Sequence, residues 1–379
     1  MSTVTPLASF VVPCYNLAHL LPECLNSILG QTFEHFEIVI MDDGSSDHTP
    51  LVARTFHDHR IRYVRNEKNL GHLRNFDKGI ALARGEYVWI LSADDRLRQP
   101  YVLARFVEAL RRYPSAGYVF CPNVRFQGSQ DVDVVQAHGK DERLFRRPEL
   151  LRALLRGNGV GFSAALARKR LYEQIGGFPL DLPFAGDWYV WARFALEADV
   201  VYLPEPMVDY RLHETNMTKD FMKSRAEAAV KDELEVRWRI KRDALLRGDT
   251  VVAKWALEGI ADGYSAKVAC HIGKTSPFEI TLDAFEKDLS ERHATVAESR
   301  LIRSTVYAAA GDCYWDERQQ EVARQCYRKA LTAAPSLRAT MKYLLAGRGE
   351  SGSHARDAIT RLREFLRRFK RSATEPNHA

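Results

Sequence analysis

Cysteine is scarce in this sequence, and no two cysteines have the spacing of a metal-binding or redox motif. The chain has 6 cysteines in 379 residues, and none forms a CxxC pair. We therefore expect neither a disulfide scaffold nor structural zinc, and this usage favours a reducing cytoplasm. The sequence also lacks any run of 18 apolar residues, so we expect no transmembrane helix. Met1–Tyr15 lacks the basic and apolar regions of a signal peptide.

A broad excess of one charge is also missing. The net charge is +6, but residues 1–219 hold 26 basic and 26 acidic residues, so the whole excess follows them. Residues 361–371 alone hold six basic residues and one acidic residue. A nucleic-acid groove spreads basic residues over a folded face, so we expect no nucleic-acid partner.

The length and the hydrophobic patterns predict two or three domains. Residues 1–219 alternate strand and helix patterns, which predicts an α/β domain with a mostly parallel sheet. The patterns predict strands at Ala8–Pro13, Glu37–Met41, Ile61–Val64 and Tyr87–Leu91, and helices at Leu20–Leu29 and Arg74–Ala83. Residues 220–346 have helical periodicity, so an all-α C-terminal region follows.

Within that helical region, Tyr307–Pro335 is similar to one tetratricopeptide repeat in its order of small and aromatic residues. An ordinary helical pair with a small-residue seam explains the pattern equally well. Residues 347–379 read as a linker, a basic amphipathic helix at residues 358–371 and a tail.

Polar residues follow the predicted strands, at the sheet edge where open α/β sheets bind ligands. Pro13, Tyr15 and Asn16 end the first strand, and Tyr15 offers a ring on which a nucleobase can stack. Asp43 follows the second strand and is a candidate ligand for a base imide or for ribose hydroxyls. Each feature alone is also explained by an ordinary turn.

Asp94 and Asp95 follow a buried apolar strand as an adjacent pair. Such carboxylates repel each other unless a cation or a ligand compensates, and oxygen ligands select Mg²⁺ or Mn²⁺. The alternative is capping of a helix predicted at Tyr101–Arg111.

Two further candidates lie in the second half of this domain. Asp187 stands among Phe184, Trp188 and Trp191, where partial burial raises a carboxyl pKa and suits a general base. The alternative is an N-cap for the helix that follows. His213 is a candidate metal ligand in a loop, although a lone histidine is more often structural.

These motifs occur in one order over residues 7–218, and as a set they resemble the family 2 glycosyltransferases of the inverting GT-A type. The resemblance rests on Val11–Asn16, Gln31-Thr32, Glu37–Asp47, Asn69-Leu70-Gly71, Gly85-Glu86-Tyr87, Ser92–Asp95, Gly176-Gly177-Phe178, Gly186-Asp187-Trp188 and Tyr210–Asn216. It implies a Rossmann-like nucleotide-binding half and an acceptor-binding half in one compact domain.

The resemblance also implies roles for single residues. Pro13, Tyr15 and Asp43 would hold the nucleoside. Asp94 and Asp95 match the end of the aspartate-rich metal motif, with one near the ribose and one on Mn²⁺ or Mg²⁺. Asp187 matches the catalytic base, and His213 a further metal or phosphate ligand. Ser92 stands where the motif commonly begins with aspartate.

The sequence therefore predicts an inverting glycosyltransferase that moves a sugar from a nucleotide diphosphate sugar, with a UDP-sugar as the expected donor. The expected acceptor is a saccharide or lipid-linked hydroxyl in bacterial surface-polysaccharide or glycoconjugate synthesis. A nucleotidyltransferase of similar fold is the alternative enzyme, but Pro13–Leu17 supplies no glycine-rich basic phosphate loop. A catalytically inactive helical interaction scaffold is the alternative outside catalysis.

The helix predicted at residues 358–371 places Leu and Phe on one face and six basic residues around them. This pattern suits the surface of an anionic membrane, which predicts a cytoplasmic protein held peripherally at the inner face of the cell membrane. Packing of the apolar stripe on the preceding helices is the alternative.

Overall fold

The protein is described by a computed structural model over residues 5–347. The chain divides into two compact units, residues 1–256 and residues 257–379, and the division falls within one long helix. The domain limits predicted at residues 219 and 346 stay a prediction. No helix of the described part of the chain combines the length and the apolarity that a membrane span requires.

An eight-stranded sheet forms the centre of the first unit. In spatial order, its strands are β3 (Ile61–Arg65), β2 (Phe36–Asp42), β1 (Ala8–Cys14), β4 (Tyr87–Ile90), β10 (Ala165–Arg168), β6 (Ala116–Phe120), β11 (Asp199–Tyr202) and β9 (Arg143–Phe145). The first four strands run parallel, whereas β10 runs antiparallel to both of its neighbours. The predicted strands are confirmed to within one or two residues.

A four-stranded sheet accompanies the large one, and the sequence patterns did not predict it. Its strands, in spatial order, are β5 (Arg96–Leu97), β12 (Val208–Arg211), β7 (Asn123–Gln127) and β8 (Gln130–Val135). The central pair of β12 and β7 is parallel, and the outer pairs are antiparallel.

Helices cover both faces of the large sheet in the first unit. They are α1 (Leu21–Leu29), α2 (Thr49–Arg54), α3 (His72–Leu82), α4 (Val102–Arg112), α5 (Glu149–Leu154), α6 (Lys169–Ile175), α7 (Gly186–Glu197), α8 (Met217–Ser224) and α9 (Ala226–Leu246). Phe162–Ala164 forms a single 3₁₀ turn.

Alternate residues of the central strands face opposite hydrophobic clusters. Val11 and Val39 pack with α3 on one face, whereas Phe10 and Ile38 pack with α1 on the other. Strands buried on both faces read as continuous apolar runs, which explains why the sequence identified them.

Helices make up the described part of the second unit. They are the rest of α10 (Thr250–Gly273), α11 (Leu282–Glu291), α12 (Val296–Asp316), α13 (Gln320–Ala333) and α14 (Leu337–Ala346). A Cβ at Gly311 would lie 2.5 Å from the ring of Tyr327, so α12 and α13 meet at a seam that requires a small residue. The predicted helical pair is confirmed, and its similarity to a tetratricopeptide repeat stays a prediction. The linker and the basic helix of residues 358–371 lie outside the described residues.

Together these elements give an α/β, Rossmann-like domain of the GT-A kind that is followed by a helical region, as the sequence predicts.

Candidate functional site

The predicted site lies where the parallel strands β1, β2 and β4 end. Backbone hydrogen bonds join the three strand ends, because the amide of Asp43 donates to the carbonyl of Cys14 at 2.9 Å and the amide of Ala93 to that of Pro13 at 3.2 Å. Pro13 is buried at the end of β1. The motifs that the sequence singles out therefore meet at one sheet edge.

Tyr15 extends from this edge into solvent. The residue is 49% exposed. Asn16 takes a left-handed conformation with φ of 56°, which asparagine tolerates better than most residues. Asn16 Oδ1 accepts a hydrogen bond from the backbone amide of Ser46 at 2.8 Å. The backbone amide of Asn16 donates to Ser45 Oγ at 2.9 Å. Asn16 thus ties the loop after β1 to the loop after β2 and leaves the Tyr15 ring open.

Asp43 is buried and holds a neighbouring turn. Its Oδ1 accepts hydrogen bonds from Asn66 Nδ2 and from the Leu70 amide, both at 2.8 Å, and its Oδ2 accepts one from the Gly71 amide at 3.1 Å. Gly71 has φ of 84°, in the region that favours glycine. The protein occupies both oxygens of Asp43, and Oδ2 retains a lone pair for a ligand.

Asp95 is buried with both oxygens bonded to the protein. Ser163 Oγ donates to its Oδ2 at 2.6 Å, and the Arg211 amide donates to its Oδ1 at 3.0 Å. Burial, together with the neighbouring charge of Asp94, raises the pKa of Asp95 well above its ordinary value. Asp95 therefore joins the 3₁₀ turn and β12 to the end of β4.

Asp94 lies beside His213. Its Oδ2 is 2.9 Å from His213 Nε2, and its buried Oδ1 accepts no hydrogen bond from the described residues. Burial is the largest single influence and raises the pKa of Asp94, but the His213 imidazole, Ser92 and the backbone together outweigh it, and the net effect is a lower pKa. Tyr101 caps α4 without a side-chain hydrogen bond, so neither aspartate caps that helix.

A bare carboxylate oxygen beside an imidazole fits a divalent cation. Over residues 5–347 there is no group of three or more His, Cys, Asp or Glu side chains that converge as metal ligands. Asp94 and His213 therefore supply fewer side chains than a divalent cation needs for a complete set of ligands.

The loop that carries His213 is fixed by two neighbours. Asn216 Oδ1 accepts from the His213 amide at 2.6 Å, and Asn216 Nδ2 donates to the Arg211 carbonyl at 3.0 Å. Arg211 Nε donates to the Asp94 carbonyl at 2.8 Å, and its guanidinium pairs with Glu23. The sequence indicated neither Glu23 nor this anchoring role of Arg211, because the contacts span more than 100 residues.

Asp187 is the second residue of α7 and is partly buried. Ala185 occupies the N-cap position, and no side chain caps the helix there. Asn158 Nδ2 donates to Asp187 Oδ2 at 3.1 Å, and the Trp188 amide donates to Oδ1 at 2.7 Å. Burial raises the pKa of Asp187 to about 6, which suits proton transfer near neutral pH.

One loop contacts both carboxylate centres, and we call residues 158–163 the strap. Asn158 donates to Asp187 at its start, and Ser163 donates to Asp95 at its end. Five residues of extended chain span at most about 18 Å, so the strap limits the separation of the two centres. No sequence pattern singled out the strap, although the glycines at Gly157, Gly159 and Gly161 are a visible signal of an unusual loop.

A separate cavity of about 930 Å³ opens at the opposite edge of the sheet, near the start of β1 and β4. Its lining includes Leu7, Phe33, Arg84, Arg111 and Arg168. None of the predicted site residues contributes to it.

Comparison with known proteins agrees with this geometry. Residues 9–176 match the model of Glycosyl transferase family 2. The match covers the strands and loops that carry Tyr15, Asp43, Asp94 and Asp95, and it ends before Asp187. It supports a family 2 domain in this part of the chain.

Relatives match a larger share of the chain than the family model does. An uncharacterized protein of Mycobacterium tuberculosis is 35% identical over 217 residues, which cover 53% of this chain and 66% of the relative. An uncharacterized glycosyltransferase of Haemophilus influenzae is 25% identical over 242 residues, 60% of this chain and 72% of the relative. The chain thus spans about two thirds of the length of the curated relatives it matches.

Solved structures share the fold. The crystal structure of residues 1–349 of TarS from S. aureus in complex with UDP-GlcNAc aligns with a TM-score of 0.59 and 15% identity, over 90% of this chain and 92% of that one. The same region of TarS in complex with UDP aligns with a TM-score of 0.57 and 16% identity, over 87% of this chain and 92% of the other. At this identity the likeness concerns the fold alone.

Proposed function

We propose that this chain is an inverting glycosyltransferase that moves a sugar from a nucleotide diphosphate sugar to a hydroxyl acceptor. The main support for the proposal is the strap. This short loop contacts both Asp187, whose pKa is about 6, and Asp95 of the aspartate pair at the strand end. The family match and the UDP-GlcNAc complex of the structural neighbour support the same reaction class.

Each part of the site has a chemical task in this proposal. Tyr15 stacks on the nucleobase, while Pro13, Asn16 and Asp43 shape the nucleoside pocket. Asp187 takes the proton from the attacking hydroxyl, because an alcohol is a poor nucleophile until its proton leaves. A single displacement on the side opposite the leaving group inverts the anomeric carbon.

Asp94 and His213 would hold Mn²⁺ or Mg²⁺ through the free Oδ1 and the imidazole. The bound cation would neutralise charge that develops on the departing diphosphate. Asp95 acts in this proposal by fixing the strand end, since Ser163 and Arg211 occupy its oxygens. Because Asp94 has a free oxygen and Asp95 has none, we favour Asp94 over Asp95 as the main metal ligand.

We further propose a setting in bacterial surface-polysaccharide or glycoconjugate assembly, with a saccharide or lipid-linked acceptor at the cytoplasmic face of the membrane. The proposal follows from the resemblance and from the basic segment of residues 358–371.

A thermal-shift screen followed by a turnover assay tests the function. The purified chain is heated with UDP-, GDP- and dTDP-sugars, each with Mn²⁺, Mg²⁺ or EDTA. We expect one nucleotide class to raise the unfolding midpoint in the presence of metal, and the same donor to release its nucleoside diphosphate. A chain that neither binds nor cleaves any donor under these conditions would overturn the proposal.

A further inference from the structure

Asn158 has one available orientation beside Asp187. Its Nδ2 donates to Asp187 Oδ2 at 3.1 Å, while its Oδ1 accepts a hydrogen bond from the Val160 amide at 3.3 Å. An amide has a donor end and an acceptor end, so the bond from Val160 turns the donor end toward Asp187. The contact is therefore directed by the strap's own backbone.

Two glycines hold the strap in place. A Cβ at Gly159 would lie 2.7 Å from His138 Nε2, and a Cβ at Gly161 would lie 1.9 Å from Asn123 Nδ2. His138 Nε2 also lies 2.8 Å from the Gly159 carbonyl oxygen. As His138 and Asn123 are placed, they leave no room for a Cβ at these two positions, so the strap is closely packed.

The far end of the strap is fixed as well. Trp89 Nε1 donates to the Ser163 carbonyl at 2.7 Å, inside the core under β4. Ser163 Oγ donates to Asp95 and accepts from the Ser92 amide at 3.3 Å. Asn158 thus extends from a loop that is anchored at both ends.

We propose that Asn158 is a positioning residue that keeps the Asp187 carboxylate deprotonated and in one orientation, ready to accept the acceptor's proton. This inference rests on the proposed function, since it assigns Asp187 the role of base. A hydrogen bond donated to a carboxylate favours its charged form, so Asn158 counteracts part of the effect of burial. Without the bond from Asn158, burial would raise the pKa of Asp187 further, and the base would stay protonated up to a higher pH.

The groups that set the ionisation of Asp187 are few. Burial acts against three hydrogen bonds, from the Trp188 amide, from Asn158 and from the backbone amide of Asp187 itself. Three titratable or charged side chains on neighbouring helices have other partners. His72 of α3 contacts the Pro183 carbonyl, and Asp232 and Arg237 of α9 bond backbone atoms of Phe184 and Leu155.

The first test is the pH profile of donor turnover for wild type, Asn158→Ala and Asn158→Asp. We expect the acidic limb of kcat/KM to move up by about one pH unit in Asn158→Ala, the size expected for one hydrogen bond to a charged carboxylate. Asn158→Asp places a like charge beside the base and should move the limb further. An unmoved limb in both variants would overturn the proposal.

Gln174→Ala is the matched control. Gln174 Nε2 donates to Glu197 Oε2 at 3.0 Å, at the opposite end of the same helix α7. The variant removes an amide-to-carboxylate bond from α7 without touching Asp187. Its pH profile should equal that of the wild type, and a shift as large as that of Asn158→Ala would assign the effect to general loosening of α7.

A second test needs no enzyme activity. The unfolding midpoint is measured at pH 4.5 and pH 8 for Asn158→Ala, alone and in an Asp187→Asn background. A carboxyl whose folded-state pKa is raised stabilises the fold at low pH, and that stabilisation is lost as the pH rises through the folded pKa. Asn158→Ala should therefore lower the midpoint more at pH 8 than at pH 4.5.

In the Asp187→Asn background, the effect of Asn158→Ala should be the same at both pH values. Comparison of the two backgrounds also cancels the contributions of His72, Asp232 and every other titrating group to the pH dependence of the midpoint. A merely structural Asn158 would lower the midpoint equally at both pH values in both backgrounds, which would contradict the inference. If donor turnover is absent but this pH dependence is present, the proposed function fails and the positioning contact stands.

Discussion

Asn158 and Ser163 lie five residues apart on one loop and hold different carboxylates, Asn158 at 3.1 Å from Asp187 and Ser163 at 2.6 Å from Asp95. Asp95 and Asp187 themselves are 92 residues apart in sequence. The strap therefore links Asp95, at the end of β4, to the first turn of α7. A substitution at either end of the strap should alter the rate of the reaction.

The pH dependence of the reaction follows from the burial of Asp187. Its pKa is raised to about 6, and only the deprotonated form accepts a proton. We expect kcat/KM to fall as the pH drops through about 6 and to be level just above it. A profile of donor turnover from pH 4.5 to pH 8.5 checks this. An acidic limb of this pH profile near pH 4 would mean that the carboxyl that controls the reaction is not that of Asp187.

Tyr15 should contribute to donor binding without contributing to the fold. Tyr15 is 49% exposed, so Tyr15→Ala should leave the unfolding midpoint nearly unchanged. Stacking of a base on an aromatic ring contributes about 1–3 kcal/mol, so the donor Kd should rise on the order of 10-fold or more. Tyr15→Phe keeps the ring and is the control. Equal donor affinity in the alanine variant would remove Tyr15 from the nucleotide site.

Asp94 and Asp95 should respond differently to removal. Asp94→Ala deletes the free Oδ1 and should abolish the effect of Mn²⁺ on donor binding, while the unfolding midpoint should fall less than in Asp95→Ala, since only His213 Nε2 loses its bond. Asp95→Ala leaves Ser163 Oγ and the Arg211 amide unpaired, at about 1–3 kcal/mol for each buried group, so its midpoint should fall clearly. Calorimetric titration with donor and Mn²⁺, beside thermal unfolding, separates the two roles. Loss of metal-dependent binding in Asp95→Ala with a normal midpoint would reverse the assignment.

The segment of residues 358–371 should bring the protein to anionic vesicles. Six basic residues between positions 361 and 371 contribute about 1 kcal/mol each near such a surface. The intact chain should sediment with vesicles that contain phosphatidylglycerol at low salt, and a variant that ends at Gly349 should stay in the supernatant. Equal sedimentation of both would favour the alternative, in which the apolar stripe packs on the helical region.

The fold was predictable where local pattern and burial coincide. Buried parallel strands such as Phe36–Asp42 are continuous apolar runs, and amphipathic helices such as Val102–Arg112 follow the helical period. The antiparallel β10 escaped prediction because Ala165–Arg168 is short and has no strand-like alternation. The small sheet escaped it because Arg96–Leu97 and Val208–Arg211 pair across more than 100 residues.

The candidate site was predictable in its residues more than in its connections. Tyr15, Asp43 and the aspartate pair end apolar strands, so their place at one edge follows from topology. The pairing of His213 with Asp94 spans 119 residues, and its support in the sequence came from the resemblance alone. Asn158 was missed because no local rule connects a glycine-rich loop with a helix that begins 28 residues later.

Asp187→Asn tests the central claim, that this site transfers a sugar with Asp187 as the base. The measurement is donor Kd and sugar transfer to acceptor, side by side for wild type and the variant, with the donor that the thermal-shift screen selects and with Mn²⁺ present. We expect a nearly unchanged donor Kd and transfer that is lower on the order of 10²–10⁴-fold, the scale of general-base loss. Transfer at the wild-type rate, or a parallel loss of donor affinity and rate, would contradict it.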